Sequence, residues 1–128
     1  MTALARHPAK YTDKFIPEFT TLLSGCKRVI DPMAGTGKLG YIVEHGFDGE
    51  VYVNELEPEW AMQAQPWCHV TSCDAEHLPY LDNYFDGACT SPTYGNRMAD
   101  HHNARDGSRR NTYTHALGRK LTEGNTGV

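Results

Sequence analysis

The ten residues Asp31-Pro32-Met33-Ala34-Gly35-Thr36-Gly37-Lys38-Leu39-Gly40 decide how the rest of the chain is read. They follow Val29-Ile30, a short apolar run that reads as a buried strand closing on Asp31. They lead into Lys38–His45, which reads as a helix stopped by Gly46. A strand, a glycine-rich turn and a helix in that order open a parallel α/β unit.

Outward from this turn the alternation continues. Upstream, Phe15, Phe19, Leu22 and Leu23 recur at helical spacing, with Pro17 tolerable in the first turn and Ser24-Gly25 ending the helix. Downstream, Val51-Tyr52-Val53 reads as a second strand ending in Asn54-Glu55, and Pro58 opens a helix through Trp60, Met62 and Ala64, closed before Pro66. His69-Val70-Thr71 is a weaker strand ending near Asp74, and Phe85–Thr90 is a fourth. The fold class expected is therefore α/β, a Rossmann-like sheet of about four parallel strands followed by a polar tail. Residues 1–94 form the folded unit in this reading, and 95–128 a basic loop or tail.

At 128 residues and 14.3 kDa the chain is one domain on the usual scale of ~100–200 residues. Its mean hydropathy of −0.58 is polar but not that of a disordered chain. No run approaches the ~18 apolar residues of a membrane span, so a cytoplasmic protein with no membrane partner is expected, its four cysteines reduced. The net charge of −4 conceals an asymmetry: 13 acids face 6 bases in residues 1–94, and 3 face 6 in 95–128. The acidic body argues against a general polyanion binder, whereas the tail, with Arg97, Arg105, Arg109, Arg110, Arg119 and Lys120, could contact phosphates or simply be solvated.

The glycine turn admits several readings. A phosphate-binding P-loop fails, because its first glycine would fall on Pro32 and its magnesium-binding Ser or Thr on Leu39. A dinucleotide fingerprint fits better: Gly35–Gly40 matches G-x-G-x-x-G after a strand, with the acid Glu55 18 residues beyond Gly37. An S-adenosylmethionine site also fits, since Asp31-Pro32 places an acid where a zwitterionic ligand's amino group would lie. An ordinary strand-to-helix turn is the fourth reading, and this segment alone does not choose among them.

The end of the fourth strand narrows the choice. Thr90-Ser91-Pro92-Thr93-Tyr94 should face the same crevice as Gly35 and Gly37, because ligands of open α/β sheets gather beyond the carboxyl ends of the strands. With DPMAGTG at 31–37 and SPTY at 91–94, the chain resembles the S-adenosylmethionine-dependent DNA amino-methyltransferases. That family carries D-P-F-x-G-x-G followed by an Asp, Asn or Ser, then Pro-Pro and an aromatic residue. The likeness covers about residues 7–97, including HPAKY at 7–11, and the motif order is similar to one of the family's permutations.

By that resemblance, Asp31, Pro32, Gly35 and Gly37 would line the methionine end of the cofactor, Glu55 the ribose, and Asp74 with Ala75 the adenine. Ser91, Pro92 and Tyr94 would be catalytic, holding a DNA base flipped out of its stack. Hydrogen bonds from the base's exocyclic amine to Ser91 and the Pro92 carbonyl would localise the nitrogen lone pair for in-line attack on the sulfonium methyl, while Tyr94 stacks on the ring. Serine at the first position leans towards cytosine N4 over adenine N6. Thr93 departs from the family's second proline.

The family's sheet normally has seven strands, so the chain reads as the cofactor half, as in restriction-modification enzymes, completed by a partner chain or by self-association. A non-catalytic remnant, or a module that only binds S-adenosylmethionine, is the alternative. Cys68, His69, Cys73 and His77 match no standard zinc spacing and read as buried thiols, and His101, His102 and His115 read as solvated histidines of the tail, so no metal is expected. Trp60 and Trp67 read as packing against the second helix.

Overall fold

The computed structural model describes residues 13–91. The elements are α1 (Phe15–Leu22), β1 (Arg28–Asp31), a 3-10 helix (Lys38–His45), β2 (Glu50–Asn54), α2 (Pro58–Ala61), β3 (His69–Thr71) and β4 (Gly87–Ala88). The four strands form one all-parallel sheet in the order β3-β2-β1-β4. This is a small α/β domain. The 95–128 tail, the HPAKY segment, Pro92 and Tyr94 all lie outside the described residues.

The two central strands have no polar face, as parallel strands covered on both sides require. Val29, Ile30 and Asp31 of β1 are buried, and so are Val51 through Asn54 of β2. Register pairs Val29 with Val51 and Asp31 with Val53. Val29, Val51 and Val53 therefore share one face, where they pack with Ile16 and Leu23 from α1 and its end, Leu39 and Ile42 from the 3-10 helix, and Phe47.

Tyr52, on the opposite face, is covered differently. The crossover from β3 to β4 forms no helix; instead it lays Tyr80, Tyr84 and Phe85 around the Tyr52 ring, with centroids 5.1–5.5 Å away. His69 stacks on Tyr52 at 4.4 Å, and the Arg28 guanidinium caps the Tyr84 ring at 4.5 Å. The Tyr52 and Tyr84 hydroxyls are 2.7 Å apart; that bond, with burial, pushes the Tyr52 phenol up to about 12.

Three elements differ in detail from the expectations above. Lys38–His45 keeps its expected limits but winds as a 3-10 helix. Leu39 and Ile42, three residues apart, fall on one face under either winding, so their spacing cannot distinguish the two. The second helix ends at Ala61, a turn earlier than expected, because Gln63 and Ala64 donate to carbonyls three rather than four residues back. The fourth strand pairs only at Gly87–Ala88: Phe85 leaves it for the aromatic cluster, and the Asp86 carboxylate accepts the Lys27 and Arg28 N–H groups.

Gly37 and Gly46 bracket the 3-10 helix in left-handed conformations, φ 82° and 99°. A Cβ on Gly37 would stand 2.8 Å from the Ala64 Cβ, whereas one on Gly46 would meet nothing within 4 Å. Gly46→Ala should therefore lose only the left-handed backbone term, about 1–2 kcal/mol. Gly37→Ala should lose clearly more, since the turn must also separate from Ala64. Urea denaturation of both variants reads the difference, and equal losses would contradict this packing.

Candidate functional site at the carboxyl ends of the strands

In an open parallel sheet, ligands bind beyond the carboxyl ends of the strands where the strand order reverses. Here the chain runs outward from β1 through β2 to β3 and then returns to the other side of β1, so the reversal lies between β1 and β4. The glycine turn leaves β1 at that point, and Ser91 lies three residues past β4. Asp31 ends β1, Glu55 follows β2, Asp74 and Ala75 follow β3, and Ser91 follows β4. All the expected site residues that are described thus gather at one end of the sheet.

Asp31 is 1% exposed, and its Oδ1 accepts the Met33 N–H at 3.1 Å, starting the turn. The turn is then tied to the end of β2: Ala34 N–H donates to the Asn54 carbonyl at 2.8 Å, and Gly35 N–H to Glu55 Oε1 at 3.0 Å. Glu55 Oε2 accepts the Glu57 N–H at 2.8 Å. Glu55 is buried, and burial raises its carboxyl to about 7 against the pull of those two N–H donors; the nearby carboxylates of Glu57 and Asp31 add to the rise.

This arrangement decides what the turn can receive. A phosphate cradle offers backbone N–H groups to an anion. Here the Gly35 N–H is already met by a carboxylate, and Asp31, Glu55 and Glu57 are all buried close by. A phosphate within ~4 Å of one such carboxylate in its ionised form would meet a repulsion of about 4 kcal/mol at an effective dielectric of ~20. A cation or a hydroxyl-bearing group meets the opposite sign.

Asp74 is half-buried, and its Oδ1 accepts the Glu76 N–H at 2.9 Å in a tight turn beside Ala75. Ser91 is exposed. Next to it, the Thr90 Oγ1 is buried and has no hydrogen-bond partner among the described residues. Asn54 and Glu57 were not singled out by sequence reasoning. Their one signal is position: polar residues within three places of a strand's carboxyl end, where backbone groups of neighbouring turns need partners.

Cys68 and His69, adjacent in sequence, lie on opposite sides of the sheet. Cys68 turns to the core side against Gln65, its thiol pushed up to about 11 by burial, while its neighbour His69 stacks on Tyr52 across the sheet. Asp74, Glu76 and His77 lie within 4.8 Å of one another at the surface, a solvated group already engaged by the Asp74 turn. Trp60 is buried, and Trp67 donates Nε1–H to the Gly40 carbonyl at 2.9 Å, so both indoles pack against the body. A groove of about 450 Å³ between α1 and the 3-10 helix is lined by Asp13, Ile16, Lys38, Tyr41, Glu44 and His45, none of them an expected site residue. No helix among the described residues is long and apolar enough to cross a membrane. No protein-family model matches the chain, and neither curated proteins nor solved structures yield a match.

Glu55 makes stability depend on pH in a defined direction. Its folded value of about 7 lies above the ordinary 4.5, so between these limits the folded state binds more protons than the unfolded one. Stability should fall as pH rises through that window and then level off. Glu55→Gln should flatten this part of the profile when unfolding free energies are compared from pH 5 to 8. An unchanged slope would contradict the burial of a titrating Glu55.

Proposed function

We propose that this chain is the cofactor half of an S-adenosylmethionine-dependent methyltransferase with a Rossmann-like sheet, transferring a methyl group to an exocyclic amine of a DNA base. The observation that carries the reading is the acid-lined glycine turn at the strand-order reversal, facing the end of β4 where Ser91 begins the SPTY segment. A dinucleotide would have to place its pyrophosphate against Asp31, Glu55 and Glu57, whereas S-adenosylmethionine brings an ammonium, a sulfonium and ribose hydroxyls.

In this reading Asp31, Pro32, Gly35 and Gly37 receive the methionine end. Glu55 spends one lone pair of each oxygen on the chain's own N–H groups and offers the others to the ribose hydroxyls. Asp74 and Ala75 meet the adenine. Ser91, Pro92 and Tyr94 hold the flipped base so that its amine nitrogen attacks the sulfonium carbon. Bound S-adenosylmethionine would supply the methyl group and leave as the neutral thioether, and the methylated amine would then release a proton. Cytosine N4 is the favoured acceptor, on the serine at position 91 alone.

The open edge of β4 supports completion by a second chain or a second copy. Among the described residues only β1 pairs with β4, and Ala88 is exposed. On α1, Phe15 and Leu22 are exposed to 39% and 78%, an apolar stripe unusual for a finished helix layer. The same open edge favours a second reading, in which the chain binds S-adenosylmethionine but methylates nothing.

Calorimetric titration separates these readings. The chain should bind S-adenosylmethionine saturably and NADH not at all, and Ser91→Ala and Tyr94→Ala should bind the cofactor like the unaltered chain while losing transfer to DNA. Binding of NADH instead would overturn the methyltransferase reading. Cofactor binding without transfer under any pairing of chains would leave the binding module.

A further inference from the structure

Asn54 ends β2 and is 1% exposed. Its Nδ2 donates to the carbonyls of Pro32, at 3.0 Å, and Cys73, at 2.9 Å. Its Oδ1 accepts the Thr71 hydroxyl at 2.6 Å and the Cys73 N–H at 3.0 Å. Every donor hydrogen and lone pair of the amide is thereby used. Pro32 belongs to the glycine turn after β1 and Cys73 to the turn before Asp74, after β3. These two strands never touch, because β2 runs between them. No ladder bond can join their turns directly, so the link passes through β2. Its backbone partners there, Ala34 N–H on the Asn54 carbonyl and Glu55 N–H on the Thr71 carbonyl, are reinforced by this one side chain.

We propose that Asn54 is a positioning residue that fixes the distance between the turn after β1 and the turn after β3, holding the two halves of the crevice in one frame. The proposal rests on the reading that one elongated ligand, S-adenosylmethionine, spans both turns. The affinity of such a ligand exceeds that of its separate halves by an effective concentration set by how well the spacing of the two subsites matches the ligand. Loosening the frame lowers that factor and leaves the local contacts of each half as they were. Asn54 touches neither half in this account and acts only through the turns it ties.

The test is binding of S-adenosylmethionine, of adenosine and of methionine, each followed by NMR titration. Asn54→Ala should weaken S-adenosylmethionine about tenfold or more, while adenosine and methionine each change less than about twofold. Thr71→Val removes one of the four bonds and keeps the amide; it should shift S-adenosylmethionine in the same direction by about threefold, and it carries the test if Asn54→Ala does not fold. Tyr80→Phe, which alters the aromatic cluster around Tyr52, should leave all three affinities unchanged and serves as the control. Equal weakening of all three ligands in the Asn54 and Thr71 variants, or no weakening, would overturn the positioning role while leaving the cofactor reading intact. Failure of the unaltered chain to bind any of the three would overturn the cofactor reading and the proposal with it.

Discussion

Parallel pairing makes every connection between these strands run back the full length of the sheet, so all four strands finish at the same end. Three turns and the end of β4 therefore crowd together there, and their backbone polar groups must be satisfied without a ladder to receive them. The side chains of Asp31, Asn54 and Glu55 do this: each accepts a turn N–H, and Asn54 also donates to two turn carbonyls. The price is three buried acids in one small volume, counting Glu57. Glu55 shows it most clearly, its carboxyl held near neutrality by burial even with two N–H donors upon it. A group placed under that stress by the fold is poised to gain from a ligand's positive charge.

The body that supports this end is asymmetric. One face of the sheet is filled by aliphatic side chains from α1 and the 3-10 helix, brought close by Gly37 and Gly40 against the Ala64–Cys68 turn. The other face is covered by aromatic rings from an irregular crossover centred on Tyr52. The difference follows from the chain: the segment between β1 and β2 offers Leu39, Ile42 and Val43 at helical spacing, whereas that between β3 and β4 carries Pro79, Asn83 and three rings without a period. Asn83 accordingly adopts φ 63°, a left-handed conformation that ends any helix there.

This explains what the sequence could and could not reveal. The central strands were legible because Val29-Ile30 and Val51–Val53 are unbroken apolar runs, and the turn because glycines stand at 35 and 37. The gathering of Asp31, Glu55, Asp74 and Ser91 at one end follows from parallel pairing of alternating elements, whereas the order β3-β2-β1-β4 is seen only in the structure. The winding of Lys38–His45, the short α2 and the two-residue β4 were not legible, since each is set by contacts distant in sequence: Ala64 on Gly37, and Asp86 on Lys27 and Arg28. Asn54 was invisible for the same reason. An asparagine at a strand end reads as a turn residue until its neighbours across the sheet are known.

The account's central claim is that the carboxyl ends of these strands form one crevice for a ligand with a cationic centre. The most direct measurement is amide chemical-shift mapping on the isotopically labelled chain as S-adenosylmethionine is added. The account predicts saturable shifts at Gly35, Gly37, Asp74, Ala75 and Ser91, with the Tyr52 cluster on the opposite face undisturbed. Shifts confined to the groove between α1 and the 3-10 helix, or no shifts in a chain whose spectrum is dispersed and folded, would contradict it.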